Sequence, residues 1–178
     1  AAAAAATPRG AFIVFEGLER CGKTTQVARL VDALRDAHGV DVVAVRFPDR
    51  TTPIGQILNA FLTKAAHVDD HAVHLLFAAN RWECRRAIDE HIAAGRTVVC
   101  DRYSFSGVAY SAAKDGVDTA WCCAPEAGLP RPDAVFYLEL PIAQIAQRGG
   151  FGDEVYDKTD FLAKVKHVYE HELSRDAA

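Results

Sequence analysis

The segment Gly17-Leu-Glu-Arg-Cys-Gly-Lys-Thr24 fits the spacing G-x-x-x-x-G-K-[ST]. Glycines at those two places permit backbone angles that turn successive N–H groups toward a single point, where phosphate oxygens can sit. Lys23 would place a point charge on the β and γ phosphates of a nucleoside triphosphate, and the Thr24 hydroxyl would be a ligand for Mg2+. A helix opening at Lys23 adds the positive end of its dipole. Leu18, Glu19, Arg20, Cys21 and Thr25 complete the expected cradle. Residue frequencies give a chance match in a chain of this length odds of about 1%; the bland alternative is a glycine-rich turn with an exposed lysine. The motif predicts triphosphate binding and leaves the acceptor open.

Four further groups could hold an acceptor. Arg46-Phe-Pro-Asp-Arg50 sets two arginines around a proline-fixed turn, and guanidinium forks match phosphate oxygens. His74, Phe77 and Arg81 share one helical face; an aromatic beside a guanidinium can stack a base and bond its edge. Asp101-Arg102-Tyr103 puts an acid where a metal-bound phosphate would need one, and Arg102 is expected to point into the same cleft. Tyr103, Ser106, Gly107 and Tyr110 share the next helical face, with Gly107 letting a ligand approach the backbone. Solvated arginines, core aromatics and a helix cap would explain the same residues without function. The glycine-rich stretch Arg148–Asp157 reads as a lid able to exclude water, or as an ordinary flexible loop.

The elements that must carry these residues alternate. Apolar runs at 11–15, 42–45, 97–100 and 134–140 predict strands. Helical periodicity covers Lys23–Ala37, Ile54–Leu62, Asp69 or Asp70 to Ala94, Ser104–Lys114 and Lys158–Arg175, with a weak helix at Asp118–Cys123. Pro125–Pro132 reads as a loop, and Pro141 as the first residue of a helix broken at Gly149 to Gly152. Such alternation predicts a parallel, doubly wound α/β sheet that binds ligands at the carboxyl ends of its strands.

Composition narrows the classes. The 178 residues suit one domain, and 20 basic against 24 acidic residues leave a net charge of −4. No basic stripe suggests a nucleic-acid polymer as partner, and no apolar run approaches the ~20 residues of a membrane span. Five cysteines, an odd number without C-x-x-C, argue for a reducing compartment and against a disulfide framework or structural zinc. The alanine run opening the chain reads as a tag or disordered arm, taken as residues 1–8, ahead of one domain over 9–178. Ala177 and Ala178 also read as arbitrary ends.

The blocks FEGLERCGKTTQ, RFPDR, HLLFAANRWE, DRYSFSGVAY, GLPRPD and RGGFGDEVY, in that order, resemble the thymidylate kinases, most closely the eukaryotic type, from Arg9 to about Arg175. The resemblance implies a P-loop NTPase fold with α/β/α layers and phosphorylation of dTMP to dTDP by Mg2+-ATP. It implies that Phe77 stacks on thymine, Arg81 bonds the base edge, and Arg50 and Arg102 hold the dTMP phosphate. Phe47, Ser106 and Gly107 would belong to the same pocket. Asp101 would lie near Mg2+ with Thr24, Glu19 near the sugar 3′-OH, Tyr110 against the 2′ position, Tyr156 over the nucleotide and Arg148 near adenine. Some members carry the catalytic arginine in the P-loop and others in the lid. Arg20 in the P-loop and Val155 in the lid imply the former here. Leu162 stands where the family often has a polar residue. The family is usually a homodimer packed through helices, with Asp70–Ala94 and the Ser104 helix as candidates, and a cytoplasmic place is expected, nuclear or mitochondrial pools aside. The chain stops where the family usually adds a fifth strand, an adenine loop and a terminal helix, so an incomplete sequence is expected, the alternative being a four-stranded sheet with a partly open ATP site. The competing readings are another P-loop kinase for a deoxynucleoside or different monophosphate, and a non-catalytic nucleotide-binding protein. No N-K-x-D motif supports a GTPase.

Overall fold

The computed structural model describes residues 8–173. The strands are β1 (Phe12–Gly17), β2 (Val42–Arg46), β3 (Thr97–Asp101) and β4 (Ala134–Leu138), all parallel in the order β2-β3-β1-β4. The helices are α1 (Lys23–Asp32), α2 (Pro53–Leu62), α3 (Asp70–Ala93), α4 (Ser104–Ala112), α5 (Thr119–Cys123), α6 (Ile142–Ile145) and α7 (Thr159–Val168).

Strand alternation assigns the layers. On β1, Phe15 faces α1 and meets Val27, Val31 and Val99, while Phe12 and Val14 face α3 and meet Ile88, Ile92 and Tyr103. Both faces of the inner strands are thus covered, as a parallel sheet requires. A second apolar body joins α2, α3, α4 and α7 through Leu58, Val73, Ala109 and Leu162. Leu162 is fully buried there, so an apolar residue fits the position.

The register Phe15 to Asp101 sets the carboxyl ends of β1 and β3 side by side, although the two strands are far apart in sequence. The loops after them, Gly17–Gly22 and Arg102–Tyr103, are therefore neighbours.

Several expectations shift at element ends. The helix from Lys23 is α-helical to Asp32 and then widens into a π-helical turn over Ala33–Ala37. Pro141 caps α6 instead of opening it, and α6 is a single turn. Within the expected loop Pro125–Pro132, the first residues belong to a 3₁₀ turn over Ala124–Glu126. The fourth strand ends at Leu138, and Val135, Phe136 and Tyr137 are partly exposed along it. The last helix ends as a π-helical turn at Leu173; Arg175, Ala177, Ala178 and residues 1–7 of the expected arm lie outside the described residues.

Candidate active site

The donor end is built from one short stretch of backbone. Gly17 has φ 136°, and a Cβ there would stand 2.3 Å from the Leu138 carbonyl, so only glycine lets the loop leave β1 this way. Gly22 caps α1 at φ 105° with no side chain over the helix end, which leaves its first N–H groups open to an anion. The Lys23 ammonium lies inside the loop and donates to Gly17 O at 3.1 Å and to Leu18 O. Burial, and then the Arg102 charge, push its pKa below the ordinary range. Thr24 Oγ1 donates to Asp101 Oδ2 at 2.6 Å, joining α1 to the end of β3. Two hard oxygen donors so placed fit Mg2+, which typically takes one or two protein ligands and completes its shell with water and phosphate.

The acceptor end gathers side chains from several helices and loops. Arg102, at φ 70°, pairs with Glu19 at 2.7 Å, donates to Ser106 Oγ at 3.1 Å and lies 5.3 Å from the Tyr110 ring centre. Burial alone would raise the Glu19 pKa, yet the charges of Arg102, Lys23 and Arg20 hold its carboxyl below the usual carboxylate range. Arg50 donates to Asn59 Oδ1 at 2.9 Å and pairs with Glu154 at 2.7 Å. Phe77 and Arg81 come from adjacent turns of α3. Arg20 and Arg102 both hold left-handed backbone that is rare for non-glycine residues, and such strain collects at functional sites.

Of the residues expected to bind nucleotide or to act in catalysis, all but Gly17, Leu18 and Cys21 line one cleft of about 460 Å³. Those three sit in the wall behind it, whereas His74 and Leu162 are buried away from it. A model of the family described as thymidylate kinase matches residues 15–177. The chain belongs to the thymidylate kinase family. It is 51% identical over 168 residues to the thymidylate kinase of Dictyostelium discoideum, covering 94% of this chain and 75% of that protein. Against the Homo sapiens thymidylate kinase it is 47% identical over 171 residues, covering 96% and 80%. The solved thymidylate kinase of Candida albicans superposes with a TM-score of 0.85 at 38% identity, over 94% of this chain and 80% of that one. The fold is that of a P-loop NTPase, and the chain is a phosphotransferase enzyme.

Within this thymidylate kinase framework, Gly107 lines the cleft and also serves its packing. A Cβ on Gly107 would stand 2.3 Å from Nη2 of Arg81. Gly107 therefore makes room for the Arg81 guanidinium. Phe47 lines the cleft but also packs into the core, its ring 5.8 Å from Tyr103. Arg148 reaches the P-loop, its Nη1 donating to Arg20 O at 2.5 Å, and Arg20 in turn donates to the carbonyls of Gly149 and Gly150. Tyr156 stacks on Phe161 at 5.2 Å. Among the described residues the buried hydroxyls of Tyr103 and Tyr110 have no hydrogen-bond partner, and burial raises both pKa values.

The polar residues that hold this constellation were not singled out beforehand. Glu16, buried inside β1, accepts the N–H groups of Tyr103 at 2.8 Å and Ser106 at 3.2 Å, and so caps α4 from another element. It also accepts from Ser106 Oγ and from the Tyr169 hydroxyl. Asn80 accepts from Asp49 N at 2.8 Å and donates to Asp49 O at 3.1 Å, pinning the turn that presents Arg50. Asp157 accepts from Arg20 at 3.3 Å, and Glu126 takes Arg81. A carboxylate in an otherwise apolar strand must find partners, so Glu16 was the one detectable from its surroundings in sequence.

Proposed function

We propose that the chain transfers the γ-phosphoryl group of ATP to dTMP, giving dTDP and ADP in the supply of dTTP. A phosphate oxygen of dTMP forms the new P–O bond as the bond from the γ-phosphorus to the bridging oxygen breaks. The reading is carried by one observation: a phosphate cradle and an arginine-rich, aromatic-lined pocket open into the same cleft, as in-line transfer demands.

The chain's residues divide the work. The loop Gly17–Thr25 and Arg148 take the donor. Thr24 and Asp101 would hold Mg2+, which supplies charge neutralisation at the phosphates when bound. Lys23 and Arg20 put positive charge where it develops on the transferring group. Arg50 and Arg102 hold the acceptor phosphate; Glu19 and Tyr110 meet the sugar; Phe77, Arg81, Ser106, Gly107 and Phe47 form the base end. The segment Arg148–Asp157 closes as a lid, bringing Tyr156 over the nucleotide and excluding water, which limits ATP hydrolysis. The domain is taken as residues 9–178.

A homodimer completes the reading. Of the two helices considered for it, α4 is buried from Ser106 to Ser111, which leaves α3, with Leu75 exposed, as the candidate face. The thiols of Cys21, Cys84, Cys100 and Cys122 are free, and a cytoplasmic place is part of the same reading. No helix among the described residues is long and apolar enough to cross a membrane.

Coupled ADP release with ATP and Mg2+ against dTMP, dUMP, dCMP, dGMP and UMP tests the proposal. A preference for dTMP, abolished by Lys23→Ala, is the expected result. A preference for another monophosphate would replace the acceptor while keeping the transfer, and ATP binding without transfer to any of them would remove the enzymatic reading of the site.

A further inference from the structure

We infer that Glu126 is a positioning residue that sets base selectivity by locking the Arg81 guanidinium as a donor-only edge. The inference rests on the reading above, in which the Phe77–Arg81 end of the cleft takes the base.

Arg81 and Glu126 are both almost fully buried, with side-chain exposures of 3% and 7%. Arg81 Nε donates to Glu126 Oε2 at 2.8 Å, and Nη2 donates to Glu126 Oε1. This is the two-point, charge-assisted match between guanidinium and carboxylate. The opposite side is closed by the backbone of α4, because Gly107 leaves no room for a side chain beside Arg81: a Cβ there would meet Nη2 at 2.3 Å and Nη1 at 3.0 Å. Glu126 is itself anchored, since Trp82, next to Arg81 on α3, donates its indole N–H to Pro125 O at 2.7 Å. The guanidinium is thus held by a carboxylate on one side and a glycine on the other. Glu126 does not line the cleft, whereas Arg81 does.

The chemical consequence follows from counting donors. A guanidinium has five N–H groups and no acceptor. Glu126 takes two, and the three that remain are two on Nη1 and one on Nη2. A base that meets this edge must present an acceptor. The 4-oxo group of dTMP or dUMP does so. The 4-amino group of dCMP brings a donor against donors, and a site built to give hydrogen bonds rejects strongly a ligand that cannot accept them. Without Glu126 the guanidinium can swing away from the base or toward water, and the rejection weakens.

The test measures kcat and KM for dTMP and dCMP, with ATP and Mg2+, and the binding of each monophosphate by calorimetry, which does not depend on turnover. Glu126→Gln keeps the shape and removes the charge. The expected result is a rise of tenfold or more in KM and Kd for dTMP, an ATP KM within twofold of the parent, and a dTMP-to-dCMP ratio of kcat/KM reduced at least tenfold. In an Arg81→Ala background the same change is expected to add less than twofold, because Glu126 acts only through Arg81. Glu126→Asp, which keeps the charge but shortens the reach, is expected to lose selectivity too and serves if the glutamine variant does not fold.

A selectivity ratio unchanged within twofold overturns the inference, as does an equal loss in the Arg81→Ala background, which would mark a merely structural role. A parent chain that does not prefer dTMP to dCMP overturns the reading of the base pocket and this inference together. A parent that does prefer it, with variants that keep the preference, overturns the inference alone.

Discussion

The two ends of the cleft are made in different ways. At the donor end, consecutive residues of one loop supply nearly everything, and the positioning is done by backbone: Gly17, Gly22 and the start of α1. At the acceptor end, Arg50, Arg81 and Arg102 come from separate elements, and each is fixed by a polar partner distant in sequence, namely Glu154, Glu126 and Glu19. A phosphate cradle needs N–H groups, which any chain possesses, in one unusual conformation. A pocket that must hold one monophosphate and read its base needs charged side chains at set angles, and buried charges stay put only when they are paired. The contrast separates a site specified by conformation from a site specified by partnership.

That contrast can be broken by substitution. The largest expected effect lies at the donor end. Arg20→Ala is expected to lower kcat by about 10³–10⁵, equivalent to roughly 4–7 kcal/mol in the barrier, with little change in acceptor KM. Retention of more than about a tenth of the turnover in a folded variant would show that the P-loop arginine is not the charge that matters. Gly107→Ala comes next. Its Cβ overlaps the Arg81 guanidinium and should cost about 1–3 kcal/mol of stability as an overpacked site, with acceptor KM raised at least tenfold. Thermal denaturation and steady-state kinetics read the two parts, and an unchanged acceptor KM would mean that Arg81 can move without consequence.

Asn80→Ala probes partnership without touching an arginine. It strips the Asp49 N–H of its acceptor and the Asp49 carbonyl of a donor, a loss of about 1–3 kcal/mol. Acceptor KM should rise while ATP KM stays within twofold; equal changes in both would deny that the turn serves Arg50. The smallest effect concerns His74, buried between α3, α4 and α5. Its Nε2–H donates to Cys122 O at 3.0 Å, and in the neutral ring Nδ1 accepts from Ser111 Oγ at 2.8 Å. Burial, more than any other cause, lowers its pKa from the ordinary value of about 6.5. A histidine lowered by folding is protonated more readily in the unfolded chain. Its contribution to stability is therefore complete above about pH 6.5 and is lost as pH falls through and below that value. Urea denaturation at pH 7.5 and 5.5 should show a smaller drop for His74→Asn than for the parent; equal drops would rule His74 out as the source.

The same contrast explains what could be read beforehand. The alternation of strands and helices was plain, because each element is its own periodic signal. The cradle was legible because its parts are adjacent. Phe77 and Arg81 were legible because helical spacing puts them on one stripe. Their supports were not, since Arg81 and Glu126 are 45 residues apart and Glu16 and Tyr169 are 153 apart, and no local period links them. The contact of Gly107 with Arg81 was not legible, because a glycine in a helix signals a close approach without saying what approaches. The short loop over Ala124–Glu126 looked featureless between its prolines, although it delivers the carboxylate that holds Arg81. The ends of α1 and α7 differed because one π-helical turn is too short to alter a hydrophobic pattern visibly, and α6 because Pro141 supplies its cap and a single turn carries no period.

The left-handed backbone at Arg20 and Arg102 has a practical consequence for directed evolution. At Arg20 glycine or asparagine would relieve about 1 kcal/mol of conformational strain, whereas at Arg102 that gain is outweighed by the Glu19 carboxylate left without its partner, a loss of about 3–5 kcal/mol. A library selected only for heat resistance, with no nucleotide present, should therefore drift to glycine or asparagine at 20, keep arginine at 102, and lose turnover as it does. Lys64, the remaining left-handed non-glycine among the described residues, does not line the cleft, although its ammonium donates to Gly152 O of the lid at 2.6 Å. Its replacement should enrich in the same selection and cost far less turnover than that of Arg20, so that survivors of a substrate-blind screen would mark the catalytic position by what they can no longer do.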